Sequence, residues 1–494
     1  MSWTFDRAAI RAFRFTSKRF EPATGEAALG YAFVNHDGTT SPELVERITV
    51  PGAPFTAVQP GSADFDAAKA SAVEAALRLL HLVAGVSYYK AAAPAAIECP
   101  EGPLDDATAD FIASVYENGL GEFAYRNGLD LRGYLVWPRG GAARPAAPAL
   151  GFGRWPAAPA LGLGPDLDRR AAVSGGGSDP WPFRALVAIG GGKDSLVSIE
   201  ALRALGMSPT VAWIGSSPLI RACAGRTGLA QLNIGRALAP ELFAFNREGA
   251  LNGHIPVTAV NSAILVLAAL LTGHGSVVFS NEHSASYGSL IPGTGEVNHQ
   301  WSKGWAFERD FAAIVRAQVA ADFDYVSLLR PFSELAVARQ FARLEHYDAH
   351  FSSCNRNFHL LGQKPTQRWC GACPKCHFVF LALAPFMPKP RLLAIFGRNL
   401  LDDASLAPEY DALLEIEGHK PFECVGEGRE SRAAMAALAA SPAWREDALV
   451  ARFAATQQPL LDPATLRLDP LLVPQGEHGL GTARMEVLRA HFGA

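Results

Sequence analysis

Positive charge is not in excess in this chain. Its 494 residues carry 44 Lys and Arg against 48 Asp and Glu, a formal net charge of −4. Proteins that grip a phosphodiester backbone show a basic surplus or stripe, so no nucleic-acid partner is expected. The first twenty residues, MSWTFDRAAIRAFRFTSKRF, lack the apolar core of a secretory signal. Long apolar runs are scarce too. One, residues 256–273, nears the lower length limit for a membrane span, but it contains Asn261 and Ser262. A buried helix is expected there, with no membrane partner and a cytoplasmic location. At 49% hydrophobic and 19% charged residues the composition is that of a folded protein of two or three domains.

Two familiar phosphate loops are also missing. A Walker loop needs Ser or Thr directly after Gly-Lys, and in GGGKDS Asp194 intervenes between Lys193 and Ser195. The dinucleotide fingerprint needs a further glycine near Ser195, and none is present. What is present is ALVAIGGGKDS, residues 185–195, followed at once by the helical pattern LVSIEALRALG. Gly190, Gly191 and Gly192 let the backbone approach an anion closely. The next helix offers free N–H groups and a positive dipole end. Lys193 adds a mobile cation and Ser195 a hydroxyl. The bland alternative is a glycine-rich turn that merely joins strand to helix. The run resembles the S-G-G-x-D-S loop of the N-type ATP pyrophosphatases through Gly191, Gly192, Asp194 and Ser195. It departs at Gly190, where that family usually has serine.

Along the chain, residues 1–137 read as short strands and two helices, an N-terminal α+β domain. Residues 138–180 are rich in Gly, Ala and Pro, as a linker would be. Residues 181–385 alternate strand and helix, which implies a doubly wound parallel sheet in an α/β fold. The pyrophosphatase resemblance implies an adenine nucleotide α-hydrolase-like version of it. Ligands in such sheets bind beyond the carboxyl ends of the strands. Residues 190–195, Ser216 with Ser217, and residues 280–283 lie at such ends and should converge. Residues 386–494 read as a mostly helical C-terminal region.

Of seven cysteines, four cluster: Cys354, Cys370, Cys373 and Cys376, the last three as C-G-A-C-P-K-C. Without a secretory signal, such clustering points to metal before disulfide. Four thiolates suit a structural zinc ion. An iron–sulfur cluster is the rival, although Phe380 stands where the ferredoxin spacing wants a fourth cysteine. Cys99, Cys223 and Cys424 are scattered and read as small buried apolar residues.

The cysteine order resembles the zinc site of 7-cyano-7-deazaguanine synthase, a much shorter protein. Longer segments resemble a different family: GVSYYKAAAP (85–94), NGHIPVTAVNS (252–262), SNEHSAS (280–286), EVNHQWSK (296–303) and HKPFECVGE (419–427). With the loop and CGACPKC they resemble the UDP-N-acetylmuramoyl-L-alanyl-L-glutamate epimerases nearly end to end. The resemblance implies conversion of the terminal L-glutamate of UDP-MurNAc-L-Ala-L-Glu to D-glutamate in peptidoglycan precursor synthesis. It implies ATP and magnesium as cofactors, an acyl-adenylate, release of AMP and pyrophosphate, and a muramoyl ligase that supplies the L-glutamyl substrate.

On that resemblance, residues 190–195 cradle pyrophosphate with Ser216 nearby, Lys193 neutralises developing charge, and Asp194 contacts magnesium. Asn281 and Glu282 hold adenylate or metal, although Glu282 also reads as a helix cap. His283, His299 and Lys303 are candidates for proton transfer, and a solvated loop histidine is the competing reading for either His. Lys90 could meet a substrate anion, while Tyr88 and Tyr89 read as core. Arg429 and Arg432 could bind carboxylates or lie on a surface helix. The rival function is a pyrophosphatase that modifies a nucleoside or tRNA; against it stand the missing basic excess and the absence of a cysteine near the loop in sequence.

Overall fold

The computed structural model describes residues 3–152, 183–291, 293–358, 364–417 and 420–493. Most of the Gly/Ala/Pro-rich stretch, from 153 to 182, lies outside them. Eleven strands are described. The N-terminal ones are β1 (Ile10–Glu21), β2 (Glu26–Asn35), β3 (Leu44–Thr49) and β4 (Ala96–Glu98). Then follow β5 (Ala185–Ala188), β6 (Thr210–Ile214), β7 (Gln231–Ala237), β8 (Ser276–Phe279), β9 (Ser289–Ile291), β10 (Gly295–Val297) and β11 (Asp324–Ser327).

Nine of them make one sheet in the order β11-β8-β5-β6-β7-β3-β2-β1-β4. The run β11-β8-β5-β6-β7 is parallel throughout. Adjacent side chains of a strand point to opposite faces, and both faces here are covered. Leu186 and Val277 pack into one core, whereas Ala185, Val187 and Val278 pack into the other. The doubly wound parallel sheet is therefore present. It does not stand apart from the N-terminal strands, because β3 pairs with β7 in antiparallel register from Arg47–Ala237 to Thr49–Gly235. One mixed sheet runs across the boundaries that composition drew at 137 and 181.

The seam is held by a buried ion pair. Arg236 Nε on β7 donates to Glu46 Oε1 on β3 at 2.7 Å, and its Nη2 donates to Ser87 Oγ. Glu46 has no solvent exposure. Removing one partner strands the other's charge in the interior, which costs about 3–5 kcal/mol. Arg236→Met should therefore lower stability by about that amount in urea titration; a loss within experimental error of zero would show that the pair does not hold the seam.

Helix α1 (Ala67–Ala84) packs against α2 (Val257–Thr272), the apolar run noted in the sequence. A helix apolar on all sides belongs in a core, and α2 is buried from Ala259 to Leu271 except at Asn261. Its Ser262 hydroxyl is satisfied by the Thr258 carbonyl and Tyr325. The helical stretch Ala67–Tyr89 is long and apolar enough to cross a membrane by composition, and 72% of its most apolar window is buried inside the protein. After β11 the described residues form helices and turns, as expected for the C-terminal region. Residues 138–152 do not dangle: Leu150 N–H donates to Asp322, and the Phe152 ring packs on Phe323.

Candidate active site

The order of the parallel strands reverses between β5 and β8, since β6 and β7 lie to one side and β11 to the other. Open α/β sheets bind ligands outside the carboxyl ends at such a switch point. A cavity of about 310 Å³ opens there. Gly190, Gly192, Asp194 and Ser195 line it after β5, and Ser280 and Asn281 after β8.

Each glycine of the loop has its own reason. Gly191 adopts φ +82°, a left-handed conformation that disfavours a side chain. A Cβ on Gly192 would lie 2.5 Å from Ser353 Oγ. Gly190 is different: a Cβ there would meet nothing within 4 Å, so the space for the usual serine exists. Gly192 ends the loop, and the helix Lys193–Ala204 starts with its free N–H groups at the cavity.

Three carboxylates converge beneath the loop. Asp194, Glu282 and Glu334 place oxygens within 4.8 Å of one another, a set that could hold a metal ion. They follow β5, β8 and β11, three neighbouring strands. Lys193 Nζ is bound to both Asp194 and Glu334, and Lys375 Nζ lies 3.5 Å from Glu334. Burial opposes ionisation of Glu334, but Lys193 and Lys375 overcome it and hold its carboxyl down at about 2. At Glu282, burial, then repulsion from Glu334 and Asp194, outweigh the pull of Lys193 and Lys303 and raise it to about 7.

A second polar group faces the same cavity. Lys303 and Cys424 both line it, with Lys303 Nζ 3.1 Å from Cys424 Sγ. His299 also hydrogen-bonds Cys424, and its Nδ1 pairs with Glu122. The His254 ring lies 4.0 Å from the His299 ring. Burial works against the charge on His299, but Cys424 and Glu122 raise it to about 9. Arg330, wholly buried, ties this group to the carboxylates. Its guanidinium donates to Glu308 Oε2, to the Glu282 carbonyl and to the Lys303 carbonyl.

The four clustered cysteines stand beside the loop. Their sulfurs lie within 4.8 Å of one another, with Cys370–Cys376 at 3.7 Å and Cys373–Cys376 at 3.5 Å. Sulfurs about 2.3 Å from one zinc ion, at tetrahedral corners, would be about 3.8 Å apart. The same segment supports the loop, since Ser352 N–H donates to the Gly191 carbonyl at 2.8 Å.

Models of the MurL N-terminal domain and the MurL C-terminal domain match residues 4–328 and 350–466. The chain belongs to the MurL family. It is similar to a Xanthomonas oryzae pv. oryzae protein named UDP-N-acetyl-alpha-D-muramoyl-L-alanyl-L-glutamate epimerase, with 60% identity over 99% of both chains. Proteins of the same name from Micromonospora sp. and Salinispora tropica are 41% and 42% identical. Those matches cover 94% and 89% of this chain, and 95% and 87% of theirs.

Within this MurL chain several sequence-based placements change. Lys193 is not a mobile cation: its side chain is 0% exposed, because it turns back under its helix toward Glu334. Ser216 is exposed and does not line the cavity; its neighbour Ser217 caps the helix Pro218–Thr227 instead. His283 also points elsewhere. The chain turns after Glu282, so Glu282 faces the carboxylates while the His283 ring packs where a Gly476 side chain would be. His299 joins the cavity only through Cys424, whereas Asn281 and Lys303 line it directly. Lys90 is spent on Asn252, Tyr88 and Tyr89 are core, and Arg429 pairs with Glu427. Arg432 donates to the Leu414 carbonyl. Cys424 is no inert apolar filler. It brings a cysteine into the loop's cavity from 230 residues away in sequence.

Proposed function

We propose that this chain epimerises the terminal L-glutamate of UDP-MurNAc-L-Ala-L-Glu to D-glutamate, with ATP as cosubstrate, through an acyl-adenylate. The observation that carries this reading is one cavity lined by the glycine loop at one part and by Lys303 and Cys424 at another. Activation and proton transfer would then act on a single bound glutamyl group. An α-proton beside an ionised carboxylate is barely acidic, because its removal stacks charge on charge. Joining the carboxylate oxygen to the α-phosphorus of ATP expels pyrophosphate and removes that charge. The carbanion then delocalises into the acyl group, and hydrolysis after reprotonation frees AMP.

The residues divide the work. The N–H groups of residues 190–195 hold the leaving pyrophosphate. Asp194, Glu282 and Glu334 would hold magnesium, which prefers carboxylate and phosphate oxygens. Magnesium, when bound, would neutralise phosphate charge. Lys193 and Lys375 offset the buried carboxylates and keep Glu334 ionised. Cys354, Cys370, Cys373 and Cys376 would hold zinc, which fixes the segment under the loop. The substrate would come from a ligase that adds L-glutamate to the muramoyl-alanyl precursor.

Incubation with UDP-MurNAc-L-Ala-L-Glu, ATP and Mg²⁺ in D₂O tests the reading. Deuterium at the glutamyl α-carbon, D-glutamate in the product and stoichiometric AMP are expected. Epimerisation without ATP, or AMP release only with RNA or a deazapurine acid, would overturn it.

A further inference from the structure

We propose that Cys424 is the base that removes the glutamyl α-proton. This rests on the acyl-adenylate reading above and assigns the proton-transfer group within it. Cys424 lines the cavity alongside Gly190, Asp194 and Ser195, where the activated acyl group would lie. Its sulfur has the surroundings of a thiolate. Lys303 Nζ is 3.1 Å away, His299 hydrogen-bonds it, and Lys375 reaches the same cavity.

Those partners are themselves fixed. Glu122 pairs with His299 Nδ1, so the imidazole keeps its charge and orientation. Arg330 clamps the Lys303 carbonyl. Glu423 is the neighbouring acid, and it accepts from the Lys375 backbone N–H, 3.0 Å away. Burial resists a charged sulfur, but Lys303 and His299 outweigh it and lower the thiol to about 5. Among the described residues of this second polar group, Cys424 is the one at the cavity wall with a lone pair to offer, while Asp194 belongs to the carboxylate set. Burial opposes the charge on Lys303, but Cys424 and Glu282 keep it protonated; Lys375 is paired with Glu334, and Lys193 is sealed below the floor. His299, paired with Glu122, is cationic and holds Cys424 in place; it does not accept a proton.

The step balances as follows. The Cys424 thiolate takes the α-proton, forming S–H while the C–H electron pair moves into the acyl group as an enolate. A solvent-derived proton then adds to the opposite face of the α-carbon. The S–H proton returns to the hydroxide so produced, which regenerates the thiolate. No oxidant or reductant is needed. Lys303 and His299 are positioning residues that keep the sulfur ionised.

The full-length protein carries the test, with UDP-MurNAc-L-Ala-L-Glu, ATP and Mg²⁺ in D₂O. Cys424→Ser should keep pyrophosphate release in a single turnover within a few-fold of the parent while α-deuteration and D-glutamate formation fall by about 10²–10⁴-fold. Equal deuteration in parent and variant would overturn the assignment. Failure of the parent itself to release AMP would instead sink the acyl-adenylate reading. A second measurement needs no turnover. Iodoacetamide labelling of Cys424, followed by mass spectrometry, should proceed at a nearly constant rate from pH 6 to 9, because the thiolate is already formed. In Lys303→Met the rate should rise through about pH 8.5, as for an ordinary thiol. A parent profile that rises through that range would also refute the assignment.

Discussion

Asp194→Asn should reduce AMP and pyrophosphate release by at least about 10²-fold, the effect of deleting one preorganised electrostatic contact, and leave the fold intact. The reason lies in how differently the two charged residues of the loop are placed. Asp194 is 24% exposed at the cavity wall, whereas Lys193 beside it is 0% exposed. Removing the Asp194 charge leaves Lys193 paired with Glu334, so no buried ammonium is stranded. Asparagine also keeps the side-chain volume at the helix start. Coupled detection of pyrophosphate, with a thermal melt of the same preparation, checks both halves. AMP release at the parental rate would remove the loop from the chemistry. A collapsed melting temperature would show that Asp194 is structural.

The second large effect concerns the cysteine cluster. Cys373→Ser should lose bound zinc and soluble protein together. Structural zinc sites in small peptides contribute about 10–16 kcal/mol of folding free energy, against a total stability of about 5–15 kcal/mol for an ordinary domain. The loss would reach the loop directly. Ser352 donates to the Gly191 carbonyl, and Ser353 sits where it leaves no room for a side chain on Gly192. Both precede Cys354. Metal analysis of the purified parent should find about one zinc ion per chain, four thiolates being one tetrahedral set. A metal-free Cys373→Ser protein that stays soluble and active would refute a structural ion. Iron in place of zinc would identify the other kind of centre.

Much of the site was legible because its signals are local. GGGKDS between an apolar strand and a helical pattern reads as a strand–loop–helix unit within a dozen residues, and the structure has that unit at the cavity. The C-G-A-C-P-K-C spacing confines three sulfurs to one turn. Even Gly191 could be read, since a left-handed φ and a glycine go together. Lys193 was misleading for a physical reason. A lysine at a helix start looks free to swing, and what immobilises it, Glu334, lies 141 positions away. Glu334 carried no mark of its own beyond following a capping serine, Ser333. Cys424 had no partner at metal spacing, and its charge partners Lys303 and His299 lie more than 120 positions upstream. The signal that could have found it was its place in HKPFECVGE, a segment already similar to the same family as EVNHQWSK.

Domain limits were less legible. Composition suggested a break near 138, yet the pairing of Arg47 to Thr49 with Gly235 to Ala237 makes one sheet. Edge-to-edge hydrogen bonds between backbones leave little trace in side-chain composition.

From residue order alone come the strand–loop–helix unit, the four-sulfur set, the apolar helix of residues 257–272 and the family. These depend on glycine's freedom, helix periodicity and short spacings, all of which act over a few residues. Folding adds the placement of Asp194, Glu282 and Glu334 together and the meeting of Cys424 with Lys303. Both depend on β11, β8 and β5 lying side by side and on Arg330 clamping two distant turns. Such neighbours are chosen by sheet pairing and burial across hundreds of residues, where no local pattern reaches.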